Sequence, residues 1–379
     1  MHSTPFTLER RRLTALRLAS QQIGTGGLST PGDVARWMLA MQAQDFPGAK
    51  WSVGLRAPRT SEATVDAAFH SAEVVRSWPM RGTLHLVPAE DLGWMLDLTA
   101  PRAIRSAASR RAALGIADAD VERVRQIAIA SLTGGRALTR GAILGSIAAG
   151  GVSTEGQRGY HLLWYLAQTG TLVLGAGQGK QQTFSLLDEW VRTPRRLDRD
   201  EALGELVYRY FRSHGPATAR DLVRWSGLTT GDVRRGLAVS GSLLTALDLD
   251  GVRYHLAPET LAQPGAPARV HLLPGFDEYL LGYGDRTAAL ATEHSAAVVP
   301  GGNGMFKPTV VADGEVVGTW RRNVTRGEVL VEPLLWSPLR GVLQDGLVEA
   351  VGAYGAYLGR PARLLRSPSA QVPEAARPR

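Results

Sequence analysis

Apolar residues recur at helical spacing in three successive stretches between residues 201 and 241, and two stretches of alternating polarity follow them. The three predicted helices are EALGELVYRYFRSHG, TARDLVRWSG and LTTGDVRRGLAVSG, and Gly215 and Gly227 close the first two. The next segment, LLTALDLDGVRYHLAPE, predicts two strands joined at an Asp-Gly turn. Three helices followed by a hairpin predict a winged helix.

The same order of elements recurs twice upstream. In residues 119–190, helical stretches precede TLVLGAGQGKQQTFSLL, a predicted hairpin with a Gly-rich tip. At the front, LERRRLTALRLASQQI and TPGDVARWMLAMQ predict helices, EATVDAAFHSAEVVRSW predicts a helix over residues 62–78, and RGTLHLVPA predicts a strand. These patterns predict three repeats of one supersecondary unit.

From about residue 265 the pattern changes to strands. ARVHLLPGFDEYLLGY, FKPTVVADGEVVGTWRR with a hairpin turn at Asp313-Gly314, and GEVLVEPL predict strands, and a last helix precedes a tail rich in Pro, Ala and Arg. The predicted fold class is therefore α+β, with tandem winged-helix units followed by a C-terminal β-rich, barrel-like region. The predicted divisions are three winged-helix units at 8–98, 99–198 and 199–262, and a β-rich region with the final helix at 263–366. A disordered tail is predicted at 367–379.

Composition excludes several classes of protein. The 379 residues are 44% apolar, yet no apolar run approaches the roughly 20 residues that cross a bilayer, and the N-terminus is charged where a secretory signal is apolar. These features predict a cytoplasmic protein with no membrane partner. Cysteine is absent, which excludes disulfides and thiolate chemistry, and the scattered histidines match no metal motif. We expect neither a metal nor a cofactor.

The charge balance points to a polyanionic partner. Lys plus Arg number 43 against 35 acidic residues, a net charge of +8, and arginine suits bidentate phosphate contacts. Nucleic acid is the favoured partner, and a compositional bias towards arginine is the alternative. Lys180 lies in GAGQGKQQT, which lacks the spacing of a nucleotide-binding phosphate loop and instead predicts a hairpin tip. At such a tip, Lys180 is a candidate contact to a DNA phosphate. Lys307, Arg321 and Arg322 flank a hairpin and are either groove contacts or surface ion pairs.

Two glutamines one residue apart, Gln42 and Gln44, follow an amphipathic helix. Pro47 disfavours helix in the residue before it, so we expect the chain to become extended near Gln42. Residues i and i+2 of an extended segment share a face, which allows the two amides to hold one water molecule between them. The alternative is that they are two exposed polar residues after a helix.

Two further polar features have structural interpretations. His85 alternates with apolar neighbours in a predicted strand, which favours a hydrogen-bonded structural histidine. The segment FDEYLLGYGDR gathers Asp277, Glu278, Asp285 and Arg286, and an internal ion-pair network is the favoured interpretation. Acid–base chemistry by these carboxylates is the alternative.

The motifs MQAQDF, RSWPMRGTLHLV, LLPGFDEYLLGYGDR and KPTVVADGEVVGTWRR together resemble the winged-helix DNA glycosylases of the HTH_42 superfamily, over residues 8–365. The resemblance implies hydrolysis of the N-glycosidic bond of N7-alkylated purines in double-stranded DNA, including the unhooking of interstrand crosslinks. It assigns catalysis to Gln42 and Gln44. A sister branch has Asp at the last position, so Gln44 places the chain with the antibiotic-resistance branch. DNA contacts are implied for Arg81 and for a hairpin mapped to residues 305–322.

A cationic N7-alkylated purine leaves as a neutral base, so positioning a water molecule is sufficient and a strong general base is not needed. Strand cleavage by a glycosylase uses an amine, and only Lys50, Lys180 and Lys307 supply one from a side chain. We therefore expect a monomeric, monofunctional enzyme. A DNA-binding regulator, a drug-sequestering resistance factor and an enzyme acting on a small nucleoside are the alternatives.

Overall fold

The fold is mixed α+β, with 50% helix and 19% strand, and its C-terminal sheet curls into a half-barrel. The predicted α+β class and the β-rich C-terminal region are confirmed. The predicted tail, 367–379, lies outside the residues that the structure describes. This computed structural model describes residues 8–179, 181–262, 269–302 and 304–365.

The first hundred residues alternate helices with short strands. The predicted helix over residues 62–78 is wrong in its second half, because Ala72 has a positive φ of 54° that ends the helix and a strand follows. Every residue of that strand is buried, and its β-branched start, Val74 and Val75, suits a buried strand better than a helix. The elements are α1 (Leu8–Ser20), α2 (Pro31–Met38), β1 (Met41–Gln42), α3 (Phe46–Arg56), α4 (Glu62–His70), β2 (Val74–Met80), β3 (Thr83–Pro88) and α5 (Leu92–Ser106).

The next region adds strands to the same sheet. Arg76 of β2 pairs with Leu174, so one six-stranded sheet crosses the boundary predicted between residues 98 and 99, which itself falls inside α5. The strand order is β1-β3-β2-β5-β6-β4, and β1 is an edge strand. The elements are α6 (Ala108–Ala113), α7 (Asp118–Leu132), β4 (Leu138–Thr139), α8 (Arg140–Ala149), α9 (Arg158–Gln168), β5 (Leu172–Leu174), β6 (Thr183–Leu186) and α10 (Leu187–Trp190).

The third region has the three helices and two strands that its pattern predicts. Capping boxes at Asp198, Thr218 and Thr229 start the helices, and Gly227 ends the second with a left-handed φ of 74°. The strands form a separate two-stranded sheet. The elements are α11 (Arg199–His214), α12 (Ala219–Ser226), α13 (Thr230–Ser240), β7 (Thr245–Leu249), β8 (Val252–Leu256) and α14 (Pro258–Leu261).

The last region forms the curled sheet, in the order β13-β12-β11-β10-β9. The strand predicted across residues 268–283 stops at Leu273, because Pro274 and Gly275 follow it and Asp277 caps a short helix by accepting from Tyr279 N at 2.9 Å. The elements are β9 (Val270–Leu273), α15 (Glu278–Leu281), α16 (Ser295–Val298), β10 (Thr309–Ala312), β11 (Glu315–Val324), β12 (Val329–Leu335), α17 (Val342–Tyr357) and β13 (Ala362–Leu364).

The N-terminal region and the curled sheet share one hydrophobic core. Met41 and Ala43 are buried in this core together with Trp51 of α3 and residues of β9, β11, β12 and α17. The indole of Trp51 donates to Leu272 O at 2.7 Å, which ties α3 to β9. The back of β1 is therefore packed against the C-terminal region.

Candidate active site

Gln42 and Gln44 lie on the accessible side of an extended segment. The helix before them ends at Met38, and β1 begins at Met41, which confirms the predicted change to extended backbone near Gln42. Burial alternates along the segment: Met41 and Ala43 are 1% and 0% exposed, Gln42 is half-buried and Gln44 is exposed. The apolar residues thus anchor the segment and leave both amide side chains towards solvent.

Three backbone contacts hold this segment in place. Ala43 N donates to Leu84 O of β3 at 2.7 Å. The Arg76 guanidinium donates to Ala43 O from Nε at 3.0 Å and from Nη2 at 2.6 Å. Gln42 N donates to Glu278 Oε1 at 2.8 Å. Gln42 and Ala43, the residue between the two glutamines, are therefore held from both edges of the strand.

Glu278 is a buried carboxylate, 1% exposed, that accepts at both oxygens. Its Oε1 accepts from Gln42 N, and its Oε2 accepts from Trp225 Nε1 at 2.9 Å and lies 3.4 Å from His214 Nε2. Burial alone would raise the pKa of Glu278, but the hydrogen bond from His214 and the charges of His214 and Arg81 lower it to about 2. The carboxylate is therefore ionised across the physiological pH range.

Arg81 reaches the Gln42 side chain. Its Nη2 lies 3.4 Å from Gln42 Oε1 and 3.2 Å from His85 Nε2. The His85 Nδ1 lies 2.9 Å from Thr83 O and so carries the proton, which leaves Nε2 to accept from Arg81. Burial and the charge of Arg81 lower the pKa of His85 to about 3. The predicted hydrogen bonding of His85 in a strand is confirmed.

The internal ion-pair network favoured from the sequence is present only in part, because Asp277 and Glu278 have charged partners whereas Arg286 donates from Nε to Leu280 O at 2.7 Å. Asp277 pairs with Arg56 through two contacts of 3.0 Å, and both side chains are almost completely buried. Asp285 instead accepts from Thr287 N at 2.8 Å in a turn. The contact between Glu278 and Gln42 was not predicted, because 236 residues separate the partners and no local pattern signals the pairing.

The structure separates the predicted DNA contacts. Lys307 and Arg321 are exposed, whereas the Arg322 guanidinium donates to Tyr354 OH at 3.0 Å and lies 3.8 Å from Asp45 Oδ2. Lys180 lies outside the described residues. Arg81 is brought next to Gln42.

The hairpin at residues 305–322, which the resemblance maps as the DNA-probing hairpin, has a turn that packs partly against α1. Gly314, in the turn between β10 and β11, is buried, and a Cβ atom there would lie 2.6 Å from Thr14 Oγ1. Tyr279 OH also donates to Gly314 O at 2.6 Å. The exposed end belongs to the next hairpin, between β11 and β12, where residues 323–327 include Arg326.

Residues 8–179, 181–262, 269–302 and 304–365 contain neither a membrane-spanning helix nor a metal-binding cluster. Within those ranges, no helix has the length and apolar character needed to cross a membrane. The same ranges contain no cluster of three or more His, Cys, Asp or Glu side chains arranged to hold a metal ion.

Comparison with known proteins decides the family. The family model described as "DNA glycosylase AlkZ-like" matches residues 35–357. The chain belongs to the AlkZ-like DNA glycosylase family. This confirms the resemblance drawn from the sequence motifs and makes the AlkZ-like chain a DNA glycosylase, a hydrolase of DNA repair.

Individual relatives agree with the family assignment. An interstrand DNA cross-link repair glycosylase from Streptomyces sahachiroi is 30% identical over 340 residues, which cover 85% of this chain and 90% of the relative. The solved structure of the Streptomyces sahachiroi DNA glycosylase AlkZ matches with a TM-score of 0.77 at 26% identity, covering 94% of this chain and 99% of that one. The structural similarity to AlkZ therefore extends over nearly the whole length of both chains.

Proposed function

We propose that this DNA glycosylase hydrolyses the N-glycosidic bond of N7-alkylated, cationic purines in double-stranded DNA, that it unhooks interstrand crosslinks, and that it thereby gives resistance to a DNA-alkylating antibiotic. Gln42 and Gln44 are the proposed catalytic residues. The observation that carries the proposal is the pair of accessible amides on a segment whose back is buried and whose backbone is held at three points. The relative that repairs interstrand crosslinks supports the choice of substrate.

The chemistry suits a neutral pair of amides. The C1′–N9 bond breaks with its electron pair moving to the purine, which cancels the positive charge of the alkylated ring. A water oxygen forms the new bond to C1′, and its proton is then lost to solvent. Amide oxygens accept hydrogen bonds from this water and orient it, but they are too weak as bases to ionise it. Unmodified purines, which leave poorly, would remain uncleaved.

Lys50, the side-chain amine nearest to the glutamines in sequence, forms two ion pairs. Lys50 Nζ lies 2.8 Å from Glu62 Oε1 and 3.0 Å from Asp66 Oδ1, and its side chain is 10% exposed. An ion-paired ammonium is a poor nucleophile, because Schiff-base formation requires the free amine. These contacts support a glycosylase that uses water and has no lyase activity.

The proposed DNA-binding face includes the glutamines and the exposed end of the β11–β12 hairpin. Arg81 lies beside Gln42, and Arg321 is exposed on the strand that leads to the hairpin end. Lys307 is a further candidate for phosphate contact. Guanidinium and ammonium groups contribute sequence-independent phosphate contacts, as a damage-specific enzyme requires.

The organisation predicted from the sequence belongs to the same proposal. We propose three winged-helix units, predicted at 8–98, 99–198 and 199–262, of which the first two share one six-stranded sheet, before the β-rich region at 263–366. The order α11, α12, α13, β7, β8 supports the third unit most directly. A glycosylase that recognises damage has no need of paired half-sites, so we propose that it acts as a monomer in the cytoplasm.

A single-turnover assay tests this function. Duplexes carrying either N7-methylguanine or an N7-linked interstrand crosslink are incubated with excess wild-type protein, Gln42→Ala or Gln44→Ala. We expect base release by the wild type and a loss of about 100-fold or more in both variants, with DNA affinity retained. Gln344→Ala, which changes an exposed glutamine of α17, is the matched control and should keep full activity. Tight binding without base release from either duplex would instead make the chain a non-enzymatic DNA-binding protein.

A further inference from the structure

The open edge of β1 is closed by a side chain rather than by another strand. β1 is the last strand of its sheet, and Ala43 N donates inwards to Leu84 O of β3. Backbone N–H groups of an extended segment alternate in direction, so the N–H of Gln42 points to the side where no strand follows. There it donates to Glu278 Oε1 at 2.8 Å. An edge N–H would otherwise be free to bond with water.

Glu278 is itself held by separate parts of the fold. Its Oε2 accepts from Trp225 of α12 and lies beside His214 at the end of α11. Its backbone carbonyl accepts from Gly282 N at 2.8 Å and from Gln21 Nε2 at 3.2 Å. The carboxylate thus connects the helical region of residues 199–240 with the glutamine segment.

We propose that Glu278 is a positioning residue for base excision: its carboxylate holds the backbone N–H of Gln42 and thereby fixes the direction of the Gln42 side chain. This inference rests on the proposed function, because it gives Gln42 a catalytic role. Glu278 is 1% exposed, so it acts through Gln42 and not by touching DNA. Reactions that depend on the placement of a water molecule are sensitive to small displacements of the groups that hold it.

A carboxylate is required because hydrogen-bond donors face both of its oxygens. The Gln42 N–H faces Oε1 and the Trp225 indole N–H faces Oε2. A glutamine at position 278 has one acceptor oxygen and one NH2 group, so one of these donors would meet another donor. Leaving a buried donor unpaired is costly, and the conflict would displace either the indole or the glutamine segment.

This conflict predicts a rescue. In Glu278→Gln combined with Trp225→Phe, no indole donor remains, so the amide can direct its NH2 group away from Gln42 and its oxygen towards the Gln42 N–H. An amide at position 278 removes the anionic partner of His214 Nε2. Ser213 Oγ donates to Arg209 O at 2.7 Å and so can accept from His214 Nδ1 at 2.8 Å, which would leave Nε2 of a neutral His214 to accept from that NH2 group. The double variant should therefore excise faster than Glu278→Gln alone.

The experiment compares single-turnover base release and DNA affinity in the wild type, Glu278→Gln and the double variant. We expect Glu278→Gln to lose roughly 10- to 100-fold in rate with unchanged affinity, and the double variant to regain a large part of that loss. Trp225→Phe alone supplies the reference for the double variant. Asp91→Asn is the matched control for the loss of a buried carboxylate, because Asp91 is 0% exposed and also accepts from an indole, Trp94 Nε1, at 2.8 Å. It should lose stability and keep its rate.

The amide signal of Gln42 provides a readout that does not depend on activity. In protein labelled with ¹⁵N-glutamine, the Gln42 N–H should shift and exchange faster in Glu278→Gln but not in Asp91→Asn. Wild-type excision by Glu278→Gln, or the same rate loss in Asp91→Asn, would overturn the positioning role while leaving the proposed function intact. Full activity of Gln42→Ala would instead remove the proposed function and, with it, any role for Glu278 in excision.

Discussion

The Arg76 guanidinium donates two hydrogen bonds, of 3.0 and 2.6 Å, to the carbonyl oxygen of Ala43, the residue between the two glutamines. Arg76 is 6% exposed, and burial lowers its pKa to about 10, partly opposed by the charge of Asp45. The side chain therefore remains charged at neutral pH. This buried positive group binds one backbone carbonyl of the glutamine segment and also lies over the Phe46 ring, 4.8 Å from its centroid.

Arg76→Met should damage both stability and excision. The change leaves Ala43 O without its donor in a buried position, which costs about 1–3 kcal/mol of the free energy of unfolding. It also frees the segment that carries Gln42 and Gln44. Urea unfolding and single-turnover base release measure the two effects.

The control for Arg76→Met is Arg17→Met. Arg17 is 3% exposed and donates from Nε to a backbone carbonyl, that of Pro216, at 3.1 Å. It does not contact the glutamine segment among the described residues. A similar loss of excision rate in both variants would show that Arg76 contributes only general stability.

The β11–β12 hairpin should contribute to DNA affinity through Arg321 more than through Arg322. Arg321 is exposed, and no partner is found for its guanidinium in the described part of the chain. Arg322 is occupied by Tyr354 and Asp45. Arg321→Ala should therefore weaken binding to all duplexes and reduce the slope of log affinity against log salt by about 1, as expected for one lost phosphate contact.

DNA affinity measured at a series of salt concentrations, from low to moderate, gives this slope. Arg59→Ala serves as the control, because Arg59 is exposed but donates to Ser29 Oγ at 3.1 Å on another part of the surface. Equal salt slopes for wild type and Arg321→Ala, or a larger effect from Arg322→Ala, would contradict this assignment of the DNA-binding face.

Stability should fall as the pH is lowered from about 6.5. His85 has its pKa lowered from 6.5 to about 3, so the unfolded chain binds a proton that the folded chain excludes between these values. His271, whose pKa burial lowers to about 4, acts in the same direction. Glu278, with its pKa lowered from 4.5 to about 2, adds a loss of stability between pH 4.5 and 2. Above pH 6.5, all three groups make their full contribution to the free energy of unfolding.

His85→Gln isolates one of these contributions. Between pH 4 and 6 the variant should show a dependence of the unfolding free energy on pH that is smaller by up to about 1.4 kcal/mol per pH unit, the value for one proton. Urea unfolding followed across this range gives both slopes. An unchanged slope would mean that His85 binds its proton in the folded state as readily as in the unfolded chain.

Local pattern was enough to predict the glutamine segment. The amphipathic stretch before Gln42 predicts α2, which ends at Met38 before an extended segment, but the expectation drawn from Pro47 was wrong in detail, because Phe46 before it is the first residue of α3. The partners that hold this segment were not predictable, because Arg76 and Glu278 reach it through strand pairing and the docking of α15. Periodicity describes one element at a time and contains no information on which distant elements meet.

The errors have the same origin. Residues 62–78 read as one helix because a short buried strand lacks the alternation of a half-exposed one. Likewise, the Asp313-Gly314 turn has the composition of an exposed hairpin end, yet Gly314 is buried against Thr14 of α1. Turn chemistry predicts backbone conformation, but tertiary packing determines which turn is exposed.

Incubation with abasic-site DNA and borohydride should give no covalent adduct. Such trapping requires a free amine that reaches the sugar C1′, and Lys50 is paired with Glu62 and Asp66 instead. A bifunctional glycosylase run in parallel shows that the trapping conditions work. If an adduct forms, Lys50→Met, Lys180→Met and Lys307→Met identify which side-chain amine is responsible. Loss of the adduct in Lys50→Met would mean that its ion pairs open on DNA, and the enzyme would then be a lyase as well as a hydrolase.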